Sequence, residues 1–88
     1  MSWFFYVVSC VDLSLYAGVT TAVSRRVHEH NETKRGAKYT RSRRPVRLVY
    51  STGLESRSAA LKLESKFKRL TRDNKINFLR ERGVTSVG

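Results

Sequence analysis

The sequence predicts a small α/β domain with the element order strand, strand, helix, strand, helix, helix. Three observations carry this: an aromatic and β-branched run near the start, apolar residues at helical spacing in three later segments, and turn-forming residues between them. Eighty-eight residues with 40% hydrophobic content supply one small core. A single domain is therefore expected over residues 1–83, with a frayed tail over 84–88.

Trp3 to Cys10 is apolar on both alternating faces, as for a central strand covered on each side. Asp12 to Ser14 makes a polar break before Leu15-Tyr16-Ala17-Gly18-Val19, so the two segments are expected to pair antiparallel through a tight connection. Thr20 or Thr21 can cap a helix reaching about Asn31, with Val23, Arg26, Val27 and His30 on one face. Residues 32–45 read as a basic loop, and Pro45 introduces a third strand over Val46 to Tyr50 that Gly53 should end. Ser56 or Ser58 can cap a second helix through about Leu70, whose inward stripe is Ala60, Leu63, Glu64, Phe67 and Leu70. Thr71 can cap a third, with Asp73 in its first turn, Ile76, Phe78 and Leu79 inward, and Gly83 at its end.

Charge narrows the function. Eighteen Lys and Arg against seven Asp and Glu give +11, and twelve of the eighteen are arginines suited to bidentate phosphate contacts. A polyanion is the expected partner, and nucleic acid ranks above an anionic membrane because no long basic amphipathic helix with an exposed aromatic face is present. The apolar start has no basic leader, and no stretch is long enough to span a bilayer, so a cytoplasmic or nuclear protein is expected. Cys10 is the sole cysteine, which rules out an intrachain disulfide and a cysteine-based zinc cluster and reads as a small buried hydrophobe.

Polar groups interrupt stripes that should face the core: Arg26 and His30 on the first helix, Glu64 on the second, Tyr6 and Tyr16 on the strands. Singly, each fits a structural role. Together they offer what phosphodiester cleavage needs: a cation for the phosphate, a carboxylate for a metal ion, and phenol or imidazole groups to move protons. Glu64 is the one acid on an inward stripe, which suits a single magnesium ion that keeps several waters. His28 and His30 face different directions on a helix and cannot jointly hold zinc.

Five blocks in order resemble the GIY-YIG nucleases, in particular the small stand-alone members, over roughly residues 3–80. Phe4-Phe5-Tyr6 resembles the first signature and Tyr16-Ala17-Gly18 the second, ten residues apart from tyrosine to tyrosine. Ser24-Arg25-Arg26-Val27 with His30-Asn31 resembles the arginine helix, and Ala60 to Glu64 the glutamate helix. Gly36 to Arg41, followed by Arg44-Pro45-Val46, is similar to the loop of the stand-alone members. Phe4, Phe5 and Ala17 depart from the signatures, Val19 stands where several relatives carry a lysine, and Asn74 and Asn77 are candidates for an asparagine some members carry.

The resemblance implies a three-stranded antiparallel sheet flanked by helices, and a divalent-metal-dependent endonuclease with Mg²⁺ or Mn²⁺ held by Glu64. Tyr6 would activate or orient the attacking water, Tyr16 would share its hydrogen-bond network, Arg26 would stabilise the scissile phosphate, and His30 would assist proton transfer. Lys34, Arg35, Lys38, Arg41, Arg43 and Arg44 would grip the backbone. DNA is the expected substrate, cut by structure or with sequence tolerance, since no base-reading element is evident. Single-stranded or branched DNA and RNA remain compatible. The rival expectations are an inactive nucleic-acid-binding module of the same fold and a nuclease subunit that needs a separate targeting partner.

Overall fold

Seven residues, Trp3–Ser9, form strand β1, and from Phe5 onward all five are buried. The computed structural model describes residues 2–86. In it β1 lies between β2 (Leu15–Thr20) and β3 (Arg47–Leu54), antiparallel to both, so the sheet order is β2-β1-β3. Helix α1 spans Val23–Glu32, a four-residue α2 spans Lys38–Arg41, α3 spans Arg57–Lys68 and α4 spans Arg72–Glu81. Three antiparallel strands flanked by helices are as the sequence leads one to expect, and the central place of β1 follows from its two apolar faces.

The β1–β2 connection is tight: the Cys10 N–H donates to the Ser14 carbonyl at 2.8 Å, and the Asp12 carboxylate accepts from both the Ser14 N–H and hydroxyl. Register then sets Tyr6 opposite Gly18 and Val8 opposite Tyr16. On one face of the sheet Phe5, Val7 and Ala17 pack with Phe67 of α3 and Leu79 of α4. On the other, Tyr6, Val8, Cys10 and Val46 pack with Tyr16 and with Val23 and Val27 of α1. Cys10 is free and buried, and burial pushes its thiol pKa up.

Ser56 accepts from the Ala59 N–H and Thr71 from the Asn74 N–H, capping α3 and α4 as their sequences suggest. Gly83, at φ +89, ends α4 with two reverse hydrogen bonds, its own N–H to the Arg80 carbonyl and that of Val84 to the Leu79 carbonyl. Val84, in the segment where a frayed tail is expected, thereby packs on the core. Val87 and Gly88 of that tail lie outside the described residues.

Four local expectations are corrected. Neither Thr20 nor Thr21 caps α1: Ala22 is the N-cap without a side-chain bond, while Thr20 completes β2 and its hydroxyl accepts from the Ala22 N–H. Gly53 does not end β3, because it pairs with Phe4 on an edge strand and gains from the ladder what it lacks in packing. The third strand accordingly begins at Arg47 and extends to Leu54. Within the basic loop lies α2, closed by N–H groups of Thr40 and Arg41 that both donate to the Ala37 carbonyl. The base of this loop is clamped by Asn31, whose side-chain amide donates to the Val46 carbonyl at 3.0 Å and accepts from the Val46 N–H.

Candidate nuclease site

Tyr6 is 1% exposed although it ends in a hydroxyl. Its ring lies over Gly18, where a Cβ would come within 2.5 Å of the Tyr6 hydroxyl, so the glycine of the second strand is what lets the tyrosine of the first lie flat across the sheet. A 2.7 Å hydrogen bond joins that hydroxyl to Nε2 of the fully buried His30. On the other side of the imidazole, Nδ1 lies 2.9 Å from the Thr40 hydroxyl and accepts a longer contact, 3.3 Å, from the Ala37 N–H. Burial pushes Tyr6 up to about 12, with Arg26 opposing the rise, and pushes His30 down to about 4, with Arg26 adding to the fall. Near neutral pH both rings are therefore uncharged.

Arg26 stands beside this pair on the α1 face that the helical spacing indicates. One guanidinium nitrogen donates to Glu29 at 3.0 Å and to the Arg35 carbonyl at 2.8 Å, which aims the group while leaving about a quarter of the side chain open. The same contact holds the Glu29 carboxyl below the usual carboxylate range. Tyr16 packs edge-on against His30, with ring centroids 5.4 Å apart, and stacks on Tyr39 at 5.7 Å. Tyr6, Tyr16, Arg26 and His30 thus converge as one cluster.

Glu64 lies on α3, which lies across β1 and β2. Its half-buried carboxylate adds the smallest contribution to the rise at Tyr6, after burial and Tyr16. The ion-pair partner of Glu64 is Lys68, at 3.4 Å and one helical turn on, whose ammonium also lies 5.5 Å from the Tyr16 ring. Among the described residues no three of His, Cys, Asp and Glu gather into a metal-binding group. One carboxylate beside an open surface fits an ion that keeps most of its waters and takes a phosphate oxygen as a further ligand.

The six cations of the loop divide. Lys34, Arg35, Lys38 and Arg41 are exposed. Arg43 is held by Asp12 at 3.1 Å and by the Tyr39 carbonyl, with its guanidinium over the Tyr39 ring at 4.0 Å. Arg44 is half-buried and donates to the carbonyls of Glu29, His30 and Thr33 around the end of α1. Sequence reasoning missed Lys68, Tyr39 and Thr40 as neighbours of the site. Lys68 had a visible signal in its spacing of four from Glu64; the two loop residues had only the resemblance of Gly36 to Arg41 to a family loop.

Residues 2–77 match the profile described as the GIY-YIG catalytic domain. A UPF0213 protein of Desulfotalea psychrophila is 44% identical over 98% of this chain and 80% of its own length, and one of Listeria innocua is 51% identical over 90% and 87%. A solution NMR structure of a protein from E. faecalis superposes with a TM-score of 0.66 at 44% identity, covering 98% of this chain and 91% of that one. The NMR structure of a UPF0213 protein from Bacillus halodurans gives 0.65 at 38% identity over 97% and 89%.

Proposed function

The chain belongs to the GIY-YIG family, and from that premise we propose that it is a divalent-metal-dependent endonuclease of the cytoplasm that hydrolyses phosphodiester bonds in DNA. The observation that carries the reading is the buried hydrogen bond between Tyr6 and His30 with Arg26 at its side, a proton-handling pair next to a phosphate-sized cation. Glu64 would hold Mg²⁺ or Mn²⁺, and such an ion supplies charge stabilisation at a phosphoryl oxygen. Arg26 binds the scissile phosphate through its open edge. A water admitted beside the Tyr6 hydroxyl attacks phosphorus, the bond from phosphorus to the leaving sugar oxygen breaks, and that oxygen takes up a proton from a solvent water. The water gives its proton to the Tyr6 oxygen as the phenolic proton passes to His30 Nε2.

Charge explains why substrate is needed for this transfer. In the free protein burial first, and the positive charge of Arg26 second, oppose protonation of His30. The phosphodiester monoanion seated on Arg26 offsets the contribution of that charge, so the imidazole becomes a better acceptor when substrate is present. Tyr16 carries the ring wall on which His30 rests, and Lys34, Arg35, Lys38 and Arg41 follow the backbone on either side. The deciding experiment incubates the protein with plasmid, single-stranded and branched DNA, and with RNA, in Mg²⁺, in Mn²⁺ and with chelator. Cleavage with metal and none with chelator is expected. A second reading, a binding module with structural site residues, draws on the Glu64–Lys68 ion pair; DNA retention without cleavage under every metal would favour it.

A further inference from the structure

Thr40 is the buried residue of α2, fully enclosed although it sits in the most basic stretch of the chain. Its hydroxyl donates to the Ala37 carbonyl at 2.9 Å. A threonine hydroxyl has one proton. With that proton given to Ala37, the 2.9 Å contact to His30 requires the ring Nδ1–H to donate to the Thr40 oxygen. Nε2 is then bare and accepts from the Tyr6 hydroxyl. The Ala37 N–H pulls the other way, since it needs a bare Nδ1, but its contact is the longer at 3.3 Å. Two tautomers of one buried histidine are therefore in competition, and the Thr40 hydroxyl is the group that separates them.

We propose that Thr40 is a positioning residue, which holds His30 as its Nδ1–H tautomer so that Tyr6 turns its proton toward His30 and its lone pairs toward the site. In the opposite tautomer Nε2–H would donate to Tyr6, and the phenol would meet an attacking water with a proton rather than an acceptor. The placement links grip to chemistry, because the segment that sets the tautomer is the one that carries Lys38 and Arg41 and stacks Tyr39 on Tyr16. Gly36 holds this segment flush on α1: a Cβ there would come within 2.9 Å of the Glu29 carbonyl oxygen and the His30 Cα. The kinetic part of this inference rests on the nuclease reading; the tautomer part does not.

Two substitutions test it on the full chain. Thr40→Val keeps the shape and removes the hydroxyl, and Thr40→Ser keeps the hydroxyl. Imidazole ¹⁵N NMR should show Nδ1 protonated and Nε2 bare in the parent and in Thr40→Ser, and a shift toward Nε2–H in Thr40→Val, where the Ala37 N–H is left as the only donor to the ring. On cleavage, Thr40→Val should lower kcat by about 10- to 100-fold with KM for DNA nearly constant, and Thr40→Ser should recover most of it. A parent histidine found as Nε2–H, or a Thr40→Val variant with an unchanged nitrogen pattern, overturns the proposal. So does a Thr40→Ser variant as slow as Thr40→Val. If Thr40→Val does not fold, the nitrogen pattern of the parent and of Thr40→Ser still decides. Absence of cleavage by the parent would instead sink the nuclease reading and leave the NMR result standing.

Discussion

Phe5 and Val7 leave β1 for a layer made of Phe67, Leu79, Leu63 and Phe78, while Tyr6 and Val8 leave it for a layer that includes His30 and Thr40. The first layer is held by edge-to-face rings, with Phe5 5.5 Å from Phe67 and Phe67 5.3 Å from Phe78, and owes its strength to area and shape. The second is no less buried, yet it contains a chain of hydrogen bonds from Tyr6 through His30 to Thr40 and Ala37. Two-residue periodicity thus gives one strand two tasks. Where the side chains are hydrocarbon the layer can only stabilise; where they carry protons the same burial fixes ring orientation and ionisation, which an exposed pair would not keep.

The largest departure from symmetry between the layers should come from Glu64, which lies on the helix of the apolar layer but faces the polar cluster. Glu64→Gln should reduce metal-dependent cleavage by more than about 10³-fold while melting temperature and DNA affinity stay near the parental values, the loss being of charge stabilisation. A structural pairing with Arg26 would have predicted a loss of stability instead, but Arg26 is occupied by Glu29 and Glu64 by Lys68. Parental cleavage by this variant would remove Glu64 from the site.

Truncation should tell the layers apart next. Phe67→Ala opens a cavity under Phe5 and should cost about 3–5 kcal/mol by urea denaturation. Tyr6→Phe, one layer over, should cost about 1–3 kcal/mol, because it strands the buried His30 Nε2, and should slow cleavage about 10² to 10⁴-fold. If Tyr6→Phe cut DNA at the parental rate, the water-handling role would pass to Tyr16 or His30.

Acid should act on stability first through the polar layer. His30 has an ordinary pKa of 6.5 and about 4 in the fold, so as pH falls through this window the unfolded chain takes up the proton first and stability is lost. The loss amounts to about 3 kcal/mol between pH 6.5 and 4, with stability restored as pH rises. Urea melts from pH 4 to 7 should show it in the parent and not in His30→Gln; identical slopes would mean that His30 is not the titrating group. Glu29 and Asp12, held low by Arg26 and by Ser14 respectively, add losses of the same sign at lower pH.

The smallest effects concern the loop. Each of Lys34→Ala, Arg35→Ala, Lys38→Ala and Arg41→Ala should reduce the slope of log K against log salt by about 0.9 for duplex DNA. Arg44→Ala should leave that slope nearly intact and lower the melting temperature, since its guanidinium serves backbone carbonyls. Equal slopes for Arg44→Ala and Arg41→Ala would contradict this division.

What could be read from sequence was whatever repeats at a fixed spacing. The strand alternation, the caps at Ser56 and Thr71, the Gly83 stop and the buried place of His30 are all local patterns, and the structure has them in those places. Thr20 misled because a hydroxyl next to a helix start serves a strand end equally well. Arg44 and Thr40 were opaque for another reason. Fourteen and ten residues respectively separate them from the part of α1 they touch, with no periodicity in between, so only the closed loop reveals that one arginine serves carbonyls and one threonine serves a histidine.

Burial of Cys10 has a practical consequence for labelling. As the single thiol of the chain, enclosed behind β1 and with little thiolate at neutral pH, it is a poor target for electrophiles in the folded state. A cysteine introduced on the exposed loop, at Lys34 for instance, would consequently be the fast-reacting thiol without any need to delete the native one. Maleimide dyes or spin labels placed there would report on loop position by fluorescence or distance measurement in an otherwise unaltered protein.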